Sequence, residues 1–150
     1  MSKKKRGNHQ PGQQQPHWQP ISMLPILARN IDGMLAGDVE QYETLLQARG
    51  KPHVLDDFTV NRVKQVFGDQ RQGFAVFEEQ LQLWGSEDLI DGQRQEVQRL
   101  VGQMAKLREN NTKVLALAEE LGMGTIDKIM AKSDEELGLE YLMRMVGGQK

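Results

Sequence analysis

Two stretches of the chain repeat apolar residues at alternating intervals of three and four. One reads Val60, Val63, Phe67, Gln70, Phe74, Phe77, Leu81, Trp84, and the other Gln93, Val97, Leu100, Met104, Leu107, Asn111, Val114, Ala118, Leu121. Intervals averaging three and a half put every member on one side of an α-helix. A strand turns its side chains over every second residue and would scatter the same set across both faces. A third segment, with Leu24, Leu27, Ile31, Met34, Leu35, Tyr42, Leu45 and Leu46, keeps the helical spacing more loosely. These stripes predict an all-α chain, an antiparallel bundle of three long helices.

End signals set the expected boundaries. Helix 1 is predicted over about 22–49, with Ser22 as N-cap, Pro25 in the first turn and Gly50-Lys51-Pro52 as the stop. Helix 2 is predicted over about 57–84, capped by Asp56 or Asp57 and ended by Gly85. Helix 3 is predicted over about 86–121, opening on Ser86 with Glu87, Asp88 and Asp91 at its positive dipole end and stopping at Gly122. Two shorter helices are predicted at about 125–131, begun by Thr125, and 133–146, where Ser133 and Glu136 have capping-box spacing. The apolar face of the second comprises Leu137, Tyr141, Leu142 and Met145. One domain is therefore expected over 21–150.

Residues 1–20 are set apart by composition. Pro, Gly and Gln dominate, and Trp18 is the one large apolar residue after Met1. Such a segment cannot offset the entropy of ordering and is expected to be a disordered tail, with Trp18 docking on the bundle. Lys3, Lys4, Lys5 and Arg6 supply four positive charges there. The remaining residues hold 15 Lys/Arg against 21 Asp/Glu, a net of −6. The body is thus a poor phosphate-binding surface, and a nucleic-acid partner would have to meet the tail.

The same composition narrows the chemistry. With no cysteine there is no disulfide, thiolate metal site or Cys nucleophile. The histidines, His9, His17 and His53, lie in the tail and in a Pro-containing loop, and none follows a Glu by three residues, as a di-iron bundle site requires. No phosphate-binding glycine loop or nucleophile elbow is present. The acidic pairs Glu40/Glu43 and Asp88/Asp91 have the spacing of a magnesium-binding helix pair but fall at opposite ends of the bundle. No catalytic residue, metal site or cofactor is expected. No apolar run spans a bilayer and no export segment follows the basic start, so the location is expected to be cytoplasmic, without membrane contact.

What remains is a set of polar residues on or beside the stripes: Asp38, Tyr42, Gln70 and Asn111. Buried polar groups can fix helix register, or line a pocket. Gly33 and Gly37, one turn apart, are expected to allow a close helix contact. Helix 3 as drawn outreaches its neighbours by about seven residues, roughly 10 Å, leaving Val114, Leu115, Ala118 and Leu121 without cover. A homodimer using the end of helix 3 and residues 133–146 is expected to supply it. The leading expectation is a non-enzymatic protein-interaction or scaffold module with a further, unidentified protein partner. One alternative is a small-ligand-binding or metal-dependent enzyme with its site between the helices. Another is a nucleic-acid-associated accessory protein using the tail. Deleting residues 1–16 is expected to change the unfolding free energy by less than about 0.5 kcal/mol, as thermal melts of the two chains will show.

Overall fold

The computed structural model describes residues 18–51 and 54–147, except for the side chains at 132–134, 137 and 140. Lys3, Lys4, Lys5, Arg6 and the three histidines lie outside the described residues. Among the described residues, four α-helices follow a short 3-10 turn at Ile21–Met23: α1 (Leu24–Leu46), α2 (Asp57–Gly85), α3 (Asp91–Gly122) and α4 (Ile126–Gly147). The described residues contain no strand, and none of their helices is long and apolar enough to cross a membrane.

The helix ends follow from local hydrogen bonding. Met23 N–H donates to Pro20 C=O at 2.9 Å, so Ser22 sits within the 3-10 turn and Met23 takes the cap position. Pro25 falls in the first turn of α1, where its missing N–H leaves no bond unmade. At the other end, Ala48 and Arg49 bond to Leu45 and Leu46, three residues back, and Gly50 closes the turn at φ +83°. That tightening stops α1 three residues short of the predicted 49. Asp56 caps α2 by accepting from Thr59 N–H at 2.8 Å.

Helix 3 begins later than expected. Ser86 Oγ donates to Leu83 C=O at 2.8 Å, closing α2 instead of opening α3. Reversing the chain between antiparallel helices takes several residues, and 86–90 make that reversal with Leu89 buried in the core. Ile90 then takes the N-cap position, and Gln93 Oε1 reaches back to accept from its N–H at 3.2 Å. The late start cuts the excess of α3 over α2 to three residues, 32 against 29, while α1 stays shorter at 23. Val114, Leu117 and Ala118 are buried, Leu115 and Leu121 are partly buried, and α1 and α2 supply the cover with Tyr42, Leu45, Leu46, Val63 and Phe67. The end of α3 therefore does not need a second subunit.

The stripes read from the sequence are the core. Upper packing joins Ile31, Phe74, Leu81, Trp84, Leu100, Met104 and Leu107, and a second cluster joins Leu45, Phe67, Val114 and Leu117. Between the two clusters stand Asp38, Gln70 and Asn111. Phe77, expected to be buried like Phe74, is only partly covered at the edge of the upper cluster. Gly33 and Gly37 do not mediate a close helix contact: both are exposed, and a Cβ at either would meet nothing within 4 Å. They lie on the outward face of α1, because Ile31 and Asp38 take the inward one.

Residues 18–20 are tied down through Gln19, and Trp18, 43% exposed, lines a surface pocket with Glu79, Gln82 and Leu83 of α2. Gln19 N–H donates to Gln80 Oε1 at 2.6 Å, and the buried Trp84 indole donates to Gln19 C=O at 2.8 Å.

The C-terminal segment read as two helices, 125–131 and 133–146, is one continuous helix. Ser133 in a helix interior costs only a few tenths of a kcal/mol, and no Gly or Pro stands near it to force a break. Beyond the first turn of α4 every described side chain is exposed. Phe74→Ala is expected to cost about 3–5 kcal/mol by urea unfolding, and the half-covered Phe77→Ala about half as much.

Candidate functional site

The three polar residues expected on the core stripes come together, one from each long helix. Gln70 Nε2 donates to Asp38 Oδ1 at 3.2 Å, and Gln70 Oε1 accepts from Asn111 Nδ2 at 3.2 Å. The same Asn111 amide donates to Phe67 C=O at 2.9 Å. Asn111 Oδ1 accepts from Arg71 Nη1 at 3.1 Å, and that nitrogen also meets Thr112 Oγ1 at 2.9 Å. A single hydrogen-bonded chain thus crosses the bundle from α1 through α2 to α3 and out to solvent at Arg71. The heptad places it, since positions 70 and 111 belong to the stripes and Asp38 lies one heptad below Ile31 on α1.

Tyr42 does not join this layer. Its ring packs with the second core cluster, and Lys113 Nζ stands 5.1 Å from the ring centroid. Arg71 and Thr112, which complete the chain, escaped the sequence reading because both lie off the apolar stripe. Asn110 escaped it for the same reason, although it is buried with its side-chain nitrogen unpartnered.

Asp38 is the strained member. Its Oδ2 is buried without a hydrogen-bond partner. Burial pushes the carboxyl above the ordinary carboxylate range, and the bond from Gln70 opposes only part of that push. No histidine lies among the described residues, and no group of three or more Asp or Glu side chains among them could hold a metal ion. Glu40, Glu43, Asp88 and Asp91 all face solvent. Four cavities along the helix grooves, of about 450, 340, 360 and 140 Å³, take their walls from residues other than Asp38, Gln70 and Asn111. In chemical terms the layer is a set of amides and one acid satisfying one another, an arrangement that fixes register.

A second polar cluster holds the start of α4. Thr125 Oγ1 donates to Asp57 Oδ1 at 2.6 Å and Lys128 Nζ to the same oxygen at 3.0 Å, while Asp57 N–H donates to Asp127 Oδ2 at 2.7 Å. The Thr125 hydroxyl first, and then the Lys128 ammonium, hold the Asp57 carboxyl below its ordinary range. Ile126 N–H donates to Leu55 C=O at 2.8 Å. The sequence reading identified Thr125 as a helix start but missed its partner 68 residues away.

Surface ion pairs follow the bundle seams. Asp32 meets Arg99 and Gln103, and Glu78 meets Arg108. Arg99 and Gln103 hold the Asp32 carboxyl low, and Arg108 does the same for Glu78.

These shifts set opposite responses to acid. Asp32, Asp57 and Glu78, held low in the fold, contribute stability that is lost as pH falls through their folded values. Asp38, held high, contributes stability that is lost as pH rises through its folded value, because its charged form is the disfavoured one. Asp38→Asn is therefore expected to stabilise the bundle at neutral pH, by an advantage that shrinks as pH falls toward the ordinary carboxylate range. Paired urea titrations across pH 3–8 measure it. Asn111→Ala, which strips a partner from Gln70 and Phe67 and leaves a small void, is expected to cost about 2–4 kcal/mol in the same assay. No protein-family model matches the chain, and no curated protein or solved structure matches it.

Proposed function

We propose that this chain is a non-enzymatic protein-interaction module that acts as a homodimer, with α4 as its docking element. The observation that carries the reading is the contrast between α4 and the rest of the molecule. The three long helices bury their own stripes completely enough to need no partner. Helix α4, by contrast, holds nine large apolar side chains at 37–74% exposure, from Ile126 to Val146. Leu139, Leu142, Met143 and Val146 fall on one side of it, and Tyr141 and Met145 on the other. A helix apolar on two sides belongs inside a packed assembly, and an isolated helix of this length is marginal in water. Association supplies the missing burial, and the commonest closed form is a symmetric pair. The reading includes a cytoplasmic location, in keeping with the expectation from the sequence.

The mutual bonding of Asp38, Gln70 and Asn111 supports a structural role for them over a ligand site between the helices. The nucleic-acid alternative rests on Lys3, Lys4, Lys5 and Arg6 and gains no support from the described residues.

Sedimentation velocity at micromolar concentration tests the proposal. The full chain is expected to sediment at twice its 17.0 kDa mass, and a chain ending at Ala131 as a folded monomer that still melts cooperatively. A monomeric full chain at 100 µM would contradict it.

A further inference from the structure

We infer that α4 of one copy seats in the groove between α2 and α3 of a second copy, so that each bundle gains its fourth helix from its partner. The inference rests on the dimer reading above and adds the surface that receives the helix. That groove is a cavity of about 450 Å³ whose floor is Leu81, Val101, Met104 and Ala105, with the Glu78–Arg108 ion pair across its lower end. Val101 is 52% exposed there, in the middle of an apolar surface.

Length and register fit. At 1.5 Å per residue, Leu139–Val146 lies about 20–30 Å from the start of α4. The groove residues lie about 20–36 Å from the end of the bundle where α4 begins, counting back from Gly122 along α3 and up from Asp57 along α2. The apolar part of the groove, Ala105, Met104, Val101 and Leu81, lies at about 25–36 Å and so overlaps the outer half of the apolar part of α4, Met143 to Val146. That overlap is the condition for exchanging an identical element between two copies.

The chain does not use its own groove. Three hydrogen bonds hold the first turn of α4 against Leu55 and Asp57, and a fourth, from the buried Thr125, anchors the link before it. With that turn fixed, the exposed length of α4 is left for a neighbour.

Area and charge favour a second copy. At roughly 100 Å² exposed per apolar side chain, Leu139, Leu142, Met143 and Val146 give about 400 Å² on the helix, about 800 Å² with the groove surface that covers them, and about 1,600 Å² for a reciprocal pair, within the roughly 1,200–2,000 Å² of stable interfaces. An anionic membrane is a poorer host, since residues 126–147 carry five acidic side chains against three basic ones.

The native chain has no cysteine, so an introduced pair reports without interference. In the double variant Val101→Cys/Val146→Cys, mild oxidation is expected to give a covalent dimer on a non-reducing gel, with neither single variant doing so efficiently. An intrachain disulfide, seen as a shifted monomer band, would overturn the inference, because α4 would then close on its own bundle. Val101→Arg provides the second arm. It is expected to shift the sedimenting species from dimer to monomer with the helical content and cooperative melting of the bundle kept. If Val101→Arg stays dimeric while Leu142→Glu becomes monomeric, α4 pairs elsewhere, which defeats the groove assignment but leaves the dimer reading intact. If the unmodified chain is monomeric and floats with phosphatidylcholine vesicles, both fail.

Discussion

Asn111 can satisfy its side-chain amide only where α2 presents both the Phe67 carbonyl and the Gln70 side chain, and this requirement fixes how α2 and α3 lie along each other. The two acceptors are reached at 2.9 and 3.2 Å. A slip of one helix by a turn would leave a buried amide without partners, at about 1–3 kcal/mol for each unmet group. Apolar packing alone discriminates less well, because Leu, Val and Met in neighbouring layers can exchange places with modest loss. Gln70 carries the constraint onward to Asp38 and so to α1. The hydrophobic clusters above and below this layer supply most of the burial, and the layer specifies which arrangement of them is adopted.

The layer is not optimised for stability. Asp38 holds one oxygen buried and unpartnered, and Asn110 a nitrogen. Desolvating a carboxyl without a full set of donors works against folding, which is why the Asp38 carboxyl is pushed above its ordinary range. The bundle tolerates that penalty because the flanking clusters bury Trp84, Phe74, Ile31, Leu81, Leu100, Met104, Leu107 and Val114 almost completely.

The stripes on α2 and α3 were legible because burial imposes a period on sequence, and Phe67, Phe74, Leu81, Leu100 and Leu107 all fall where that period puts them. Gln70 and Asn111 were legible for the same reason, as polar letters in an apolar pattern. What the period does not encode is where a helix stops. Ser86 serves a helix start and a helix end with the same hydroxyl, and only the need to reverse the chain decides between them. Ser133 and Glu136 match a capping box, yet nothing nearby breaks the helix, so the backbone continues through them. Those two readings had a large consequence. Placing the start of helix 3 at 86 created an overhang at its far end and directed the dimer argument to Val114 and Ala118, which the bundle already buries. Contacts between distant positions, such as Thr125 with Asp57 and Arg71 with Thr112, leave no local pattern to read.

Helix α4 is where a self-sufficient bundle meets surface it cannot cover. The bundle completes its core without α4, and α4 is tied to it by hydrogen bonds at its first turn. An apolar helix held out in this way ties folding to association, since its burial depends on how much protein is present. Hydrogen–deuterium exchange of the full chain, measured as a function of its concentration, tests that claim most directly. The account predicts that amides in 139–146 exchange rapidly at nanomolar concentration and become protected at tens of micromolar, while those around Asn111 stay protected throughout. Protection of 139–146 that does not change with concentration would contradict it.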